Sequence, residues 1–429
     1  MNMRILWFTN MLMPDAAKYL GYPELTANGW WMVSLLDRLK KENVKLGVVC
    51  TEGYRQQRFQ INKIDFFIVP TPISRAILNR MRSSLSCKPN LKQIKLFSTI
   101  IKEWAPDVIH IHGTERDYGL VRARGMTSVP TMVSIQGLIQ VYKRKIFGEI
   151  DTRELYGRSP FSTPFWRRNS TRRLRQFNMY ASIEKEILQN TDIIAGRTTW
   201  DRAWAWCCNP KVKYRHVDEI MREEFYMNKP WSLQNCKRCQ IFTTSGNQPL
   251  KGLHVLIEAI HFLKPIIPDI KLKVASNGFG GSARTPYARY ISRLVEQYDL
   301  TSNVEFLGWI NAEKLAHYHK QSHCFVTPSF IENSCNALQE AMLVGTPCIA
   351  SNAGGLTTVL DESETGLCFP AGDSAMLAMC IKKILNDDEL AVSLGQNARR
   401  IAHERHKPSK VVKQNLECYT ELAAMNGKK

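Results

Sequence analysis

The feature that most narrows the fold is a recurring kind of strand. The runs "MRILWFT" (3–9), "VKLGVVC" (44–50), "IDFFIVP" (64–70), "DVIHIH" (107–112), "PTMVSI" (130–135) and "TDIIAG" (191–196) are almost continuously apolar. A strand with one wet face alternates apolar and polar residues, whereas a strand covered on both faces need not. Amphipathic stretches such as 27–42 and 90–104 lie between several of the runs, and "VKYRHV" (212–217) reads as one more, polar strand. Buried strands spaced by helices predict a parallel sheet with helices on both faces, an α/β doubly wound domain.

The pattern then repeats. "QIFTTS", "IKLKVA", "NVEFLG", "HCFVTP", "PCIAS" and "GLCFP" alternate with helical segments near 252–264, 286–299, 311–320, 334–344 and 374–385. Between the two series lies "MREEFYMNKPWSLQNCKRC", where periodicity lapses and Pro230 appears. At 429 residues the chain is too long for one ordinary core. Two successive Rossmann-like domains are expected, 1–224 and 225–407, with a terminal helix at about 408–424.

Charge separates the halves. Residues 1–225 carry 36 Lys/Arg against 21 Asp/Glu, and residues 226–429 carry 22 against 18. The first half is therefore built to meet something acidic: nucleic acid, anionic lipid or a phosphorylated substrate. Its most basic stretch, 139–175, interleaves Lys143, Arg144, Lys145, Arg153 and a run of arginines with Tyr142, Phe147, Tyr156 and Trp166. That stretch is either a solvated excursion or a surface that settles on anionic headgroups, each Lys/Arg then contributing ~1 kcal/mol. No helix-turn-helix, zinc-finger or RNA-recognition signature accompanies it, so nucleic acid is not an expected partner.

Twelve cysteines without a regular framework suit a reducing compartment. The lone pair Cys236–Cys239 and the tandem Cys207–Cys208 have no matching half for a zinc site. The N-terminal "MNMRILWFTN" has no cleavable signal architecture behind it, and no apolar window reaches the ~18–20 residues of a spanning helix. A cytoplasmic protein is expected, with possible attachment to the inner face of the membrane through the basic half.

The stretch "SFIENSCNALQEAMLVGTPCIA" (329–350) carries the chemistry. Glu332 follows a strand and precedes a helix, and Glu340 lies inside that helix. Ligands of doubly wound domains bind beyond the carboxyl ends of strands, where helices begin. First-turn amides around Ser334, Cys335 and Asn336 are donors suited to phosphate. One carboxylate for a sugar, amides for phosphates and a second carboxylate for a ribose diol together make a plan for binding a sugar nucleotide. His110 and His112 alternate at a strand end and share a face. On residue type alone they are a packed or hydrogen-bonded pair, or a site group.

"PSFIENSCNALQEAMLVGTPCIASNAGG" (328–355) resembles the Glu-x7-Glu region of retaining GT-B glycosyltransferases of family 4. The resemblance continues through "GLCFPAGD" (366–373), "SGNQPLKGLHVLIEAI" (245–260), "NVEFLGWI" (303–310), "DVIHIHG" (107–113) and "TANGWW" (26–31). It implies a GT-B fold, two Rossmann-like domains facing across a cleft, with the terminal helix packed back on the first. It also implies roles. Glu332 meets hydroxyls of the transferred sugar, Glu340 the ribose, and Lys251 the diphosphate. The loop with Gly246 and Asn247 and the first turn at Ser334, Cys335 and Asn336 surround the phosphates. Backbone near Trp309 and Ile310 faces the base, Gly29 lets the chain approach a phosphate, and His112 stands beside the donor sugar.

The chain departs from the family at three positions: Asn247 replaces the usual arginine, Cys335 a Gly or Pro, and Thr358 a glutamate. The resemblance implies transfer of a hexose-type sugar from a nucleoside diphosphate sugar, UDP rather than GDP, with retention at the anomeric carbon. The acceptor would be a glycan or a lipid-linked molecule, in assembly of a cell-surface polysaccharide such as capsule or lipopolysaccharide. No cofactor is implied, and without an Asp-x-Asp pair the diphosphate is expected to be held without a metal. A 2-epimerase acting on sugar nucleotides would share this architecture, and a nucleic-acid-binding protein is a remote alternative.

Overall fold

The computed structural model describes residues 2–22, 29–52, 55–70, 89–156, 163–227, 229–279 and 285–426, with side chains except those of 156, 163–173 and 227. Thr26, Ala27, Asn28 and the middle of the basic stretch, 157–162, lie outside the described residues. The chain forms two compact units. One comprises Met1–Lys143, Arg168–Ile220 and Lys407–Lys429, the other Arg144–Arg167 and Met221–His406. The second unit thus begins at Met221 and takes in a basic segment that the sequence reading gave to the first half.

The first unit contains β1 (Met3–Thr9), β2 (Val44–Thr51), β3 (Gln57–Ile61), β4 (Ile64–Val69), β5 (Val108–His112), β6 (Thr131–Ser134), β7 (Ile193–Gly196) and β8 (Lys213–His216). Their order across the sheet is β3-β4-β2-β1-β5-β6-β7-β8. Neighbours are parallel except β3, which runs antiparallel along β4. All of β4 and β5 is buried, as continuous apolar runs require. On one face of the sheet Ile5 and Trp7 pack with Met32, Leu35 and Leu36 and with Tyr419 and Leu422 of the helix Pro408–Asn426. On the other, Leu6 and Phe8 pack with Ile94, Phe97 and Ile101 of the helix Leu91–Trp104.

The second unit contains β9 (Lys237–Thr243), β10 (Lys271–Val274), β11 (Val304–Phe306), β12 (Ser322–Thr327), β13 (Cys348–Asn352) and β14 (Leu367–Pro370). All its pairs are parallel, in the order β11-β10-β9-β12-β13-β14. Chain order therefore reverses between β9 and β12, as it does between β1 and β5 in the first unit. In open parallel sheets the ligand crevice lies at the carboxyl ends of the two strands flanking such a reversal.

Several elements were not expected from sequence, among them the helices Thr163–Gln189 and Thr199–Cys208. The edge strand β3, "QRFQI", is short and mostly exposed, with no apolar run to mark it. The helix Asp388–Arg405 buries a stripe rich in small residues, Ala391, Gly395, Ala398 and Ala402, whose modest apolar signal comes from close packing. A Cβ on Gly395 would lie 2.3 Å from the Gly345 carbonyl oxygen, so the helix passes against backbone at the end of the helix Asn336–Val344.

Candidate functional site

The reversal in the second unit is assembled from two loops. β9 leads through Ser245, Gly246 and Asn247 to the 3-10 turn Pro249–Lys251, and β12 leads through Pro328 to Cys335. The Phe330 amide donates to the Leu250 carbonyl at 2.8 Å, joining the loops. They meet so closely at Gly252 (φ +70°) that a Cβ there would lie 1.9 Å from the Pro328 carbonyl oxygen. Only glycine accepts both that backbone conformation and that approach.

The union places Lys251 Nζ 2.5 Å from Glu332 Oε1. The Ser329 hydroxyl donates to the same carboxylate oxygen at 3.0 Å. The Glu332 backbone is fixed as well: its carbonyl accepts from the Gly355 amide at 3.0 Å, and Gly354 (φ +61°) leaves room for that carbonyl. Burial works against the Lys251 ammonium, but the Glu332 carboxylate outweighs it and the pKa is raised. Beside this pair the Cys335 thiol is pushed up to about 11, by burial first and the Glu332 charge second.

The helix Asn336–Val344 starts two residues later than the sequence suggested, and Glu340 falls just past its first turn. Helices of this unit beginning at Pro286, Ala312, Ser374 and Asp388 are each capped by the side chain of Thr285, Asn311, Asp373 or Asp387. The helix at Asn336 has Cys335 at its N-cap and no side-chain cap bond. Its Cys335 thiol, a weak acceptor, meets the Leu338 amide, so the positive end of this helix lacks the oxygen cap that the other four have.

Glu340 is 6% exposed, and both its oxygens accept from Arg222, through Nε and Nη2 at 2.7 Å each. Burial raises the Glu340 carboxyl above its ordinary value, although Arg222 pulls the other way. Ser334 accepts from the Gln339 carboxamide at 2.8 Å. At the neighbouring strand ends, Asn247 accepts from the Thr285 hydroxyl at 2.7 Å, and Trp309 is 54% exposed with Ile310 half-buried beside it. Nothing described lies closer than 3.9 Å to the place of a Cβ on Gly246, so that loop is open.

Sequence reasoning missed three residues here. Ser329 and Thr285 hold Glu332 and Asn247; Ser329 lies inside the Glu-x7-Glu stretch without a role of its own there, and Thr285 sits in no recognisable pattern. Arg222 lies 118 residues before its partner, in the stretch where periodicity lapses.

His112 and Gly29 belong to the first unit, at its own reversal. Gly29 precedes the helix Trp30–Leu39 with φ +101°. His112 is 1% exposed, its ring 4.3 Å from Trp7, 5.3 Å from Trp31 and 3.8 Å from His110, centroid to centroid. Neither of its nitrogens hydrogen-bonds to a described residue. Burial, then the neighbouring His110, hold its pKa far below the usual imidazole range, so the ring is neutral. His110 is fully engaged, with Tyr419 Oη at 2.7 Å and Ser134 Oγ at 2.7 Å.

Residues 234–401 match the family model of glycosyl transferases group 1. Sucrose-phosphate synthase from Thermosynechococcus elongatus aligns with this chain at a TM-score of 0.72 and 18% identity, covering 99% of this chain and all of that one. The fold is GT-B. A second GT-B structure, HepE from Anabaena in complex with UDP and glucose, aligns at a TM-score of 0.66 and 15% identity, over 98% of this chain and 100% of that one. Among curated proteins, the D-inositol 3-phosphate glycosyltransferase of Corynebacterium efficiens is 31% identical over 160 residues, 37% of each chain. The alignments with this and the next such relative span only 37% and 42% of their lengths. Among the described residues no helix of this GT-B chain is long and apolar enough to cross a membrane.

Proposed function

We propose that the protein is a retaining glycosyltransferase whose second unit holds a nucleoside diphosphate sugar, UDP in preference to GDP. The convergence of Lys251 and Glu332 at the β9/β12 reversal, next to a helix without an oxygen cap, carries this reading. Lys251 and the amides from Ser334 to Asn336 face the diphosphate, whose charge grows as the glycosidic bond to it breaks. Donors fixed in place at a developing charge supply much of the rate enhancement in many enzymes. Glu332, held by Ser329 and by its backbone, receives sugar hydroxyls, and Glu340 receives the ribose diol. Trp309, exposed in the loop after β11, borders the base.

His112 enters on the family resemblance alone. Its neutral ring has one donor and one acceptor unengaged, which suits a sugar hydroxyl better than a phosphate. Asn247, neutral and tied to Thr285, supplies no cation where relatives carry arginine, so Lys251 bears more of the phosphate charge. HepE in complex with UDP and glucose supports the preference for uridine. The positive charge of the first 225 residues supports an anionic acceptor, such as a lipid-linked or polysaccharide intermediate of cell-surface glycan assembly.

The test is a thermal-stabilisation panel of nucleoside diphosphates and their sugars, with and without chelator, on wild type and Glu340→Ala. A ligand at a hundredfold excess over its dissociation constant adds ~2.7 kcal/mol, readily measured. One nucleotide that stabilises wild type and not Glu340→Ala supports the donor site. Proton NMR of the product formed with a hydroxyl acceptor then reads the anomeric configuration. If no nucleotide stabilises the wild type, the reading fails.

A further inference from the structure

We infer that Arg222 is a positioning residue of the donor site, holding Glu340 ionised and turned so that its carboxylate receives the ribose diol. This rests on the glycosyltransferase reading above. The starting point is an electrostatic problem. Glu340 is buried within a helix, and burial favours the protonated acid, which has lost acceptor capacity. A diol needs two acceptor directions from the carboxylate at once.

The geometry of Arg222 answers both needs. Its Nε and Nη2 reach the two oxygens at equal distances of 2.7 Å, the side-on fork in which one planar group grips a carboxylate. Each oxygen spends one lone pair on Arg222 and keeps another directed away from it, so the pair retains the two acceptor positions that vicinal hydroxyls would use. The guanidinium is itself steadied over the Phe225 ring, 4.9 Å from its centroid. Phe225 is fully buried, so this platform does not move with the surface. The fork also fixes the side-chain torsions of Glu340, which sits on a rigid helix rather than a loop. Lysine offers a single point charge and cannot reproduce the fork.

The experiment compares the affinity of UDP, or of GDP where that binds more tightly, with its 2′,3′-dideoxy analogue by calorimetry. The proteins are wild type, Arg222→Gln, Arg222→Lys, Glu340→Gln and the double variant Arg222→Gln/Glu340→Gln, in which a neutral amide pair replaces the ion pair and leaves no buried charge unpaired. Wild type is expected to favour the ribonucleotide by about tenfold or more, as hydrogen bonds to a charged acceptor do. Arg222→Gln and Glu340→Gln should both bring the ratio close to one, and Arg222→Lys should fall between. With donor sugar, KM should rise more than kcat falls, because the ribose contact is shared by ground and transition states. A global folding defect weakens both nucleotides alike and leaves their ratio unchanged, and if Arg222→Gln does not fold, Arg222→Lys reads the same ratio. A wild type that binds nucleotide without discriminating the hydroxyls removes Glu340 from the ribose and the inference with it. No binding of either nucleotide overturns the donor-site reading itself. Discrimination that survives in both Arg222 variants leaves the donor site standing and overturns the role of Arg222.

Discussion

Lys251 and Glu332 form an ion pair across the β9/β12 reversal, Nζ to Oε1 at 2.5 Å, with Lys251 about a third exposed and Glu332 buried. The lysine comes from the turn after β9 and the glutamate from the loop after β12, so the pair exists only because the sheet reverses its order there. In the proposed reaction the ammonium faces the departing diphosphate. Lys251→Ala should therefore lower kcat/KM by a factor on the order of 10² to 10³, the usual loss for one fixed donor at a developing charge. Lys251→Arg should recover part of it. The raised lysine pKa makes the pair's contribution complete below the unfolded value of ~10.4, with loss only as pH rises beyond that. A rate profile in steady-state assays from pH 6 to 9 should then show no limb that Lys251→Arg displaces. Full activity in Lys251→Ala would remove the lysine from the mechanism.

Gly252 is the second test of that junction. A methyl group there would meet a backbone carbonyl at 1.9 Å, in a residue with φ +70°. Neither neighbour can rotate away, since Pro328 and the turn Pro249–Lys251 are both backbone. Gly252→Ala should cost at least the ~1–3 kcal/mol of a strained backbone conformation and spread the two loops. Urea titration should show the loss, and nucleotide-induced stabilisation should weaken further than the stability loss alone predicts. Gly246→Ala, in an open loop, is the control and should keep its stability.

The legibility of this fold depended on which residues carry signals alone. β4, β5 and β12 were readable because strands buried on both faces carry apolar residues on both, interrupted here only by groups such as Asp65, His110 and His323. β3 and the helix Asp388–Arg405 were not, since an exposed edge strand and a helix packed through small residues leave little apolar pattern. Glu332, Glu340 and Lys251 stood out through spacing and family resemblance, and the fold brings Lys251 to Glu332. Arg222 could not be read in the same way. It has no periodic neighbours, and its meaning comes from a partner 118 residues away. The sequence also divided the chain at a single linker, whereas Arg144–Arg167 joins the second unit, its Gly148 carbonyl 3.0 Å from His254 Nε2. Long-range contacts of this kind are what a linear pattern lacks.

The cysteines make a pH prediction. Burial holds the thiols of Cys335, Cys380 and Cys418 at about 11, above the unfolded value of ~8.5. A folded value raised in this way means stability that is complete below pH ~8.5 and declines as pH climbs toward 11, because the unfolded chain ionises first. Melting temperature should fall across that window. In the same protein at pH 7.5, iodoacetamide should modify exposed Cys207 well before Cys335, as peptide mass spectrometry can show. Rapid alkylation of Cys335 in folded protein would contradict the raised thiol pKa that its place beside Glu332 gives it.

The first unit should be sensitive to acid through His110. The ring is buried and pushed down to about 3, below the unfolded ~6.5, so its contribution is present above pH ~6.5 and is lost as pH falls toward 3. Tyr419 Oη joins that ring to the terminal helix and also accepts from Trp7 Nε1 at 3.1 Å. Removing the hydroxyl in Tyr419→Phe leaves the Trp7 donor and one His110 nitrogen without this partner, each at a cost of ~1–3 kcal/mol. Urea unfolding followed by tryptophan fluorescence should show wild type weaker at pH 5 than at pH 7.5, and Tyr419→Phe weaker than wild type at both. Nucleotide binding, assigned to the second unit, should keep its affinity in Tyr419→Phe at pH 7.5. Equal unfolding midpoints for the two proteins would mean that the helix Pro408–Asn426 draws its hold from apolar contacts such as Leu422 and Val411 alone.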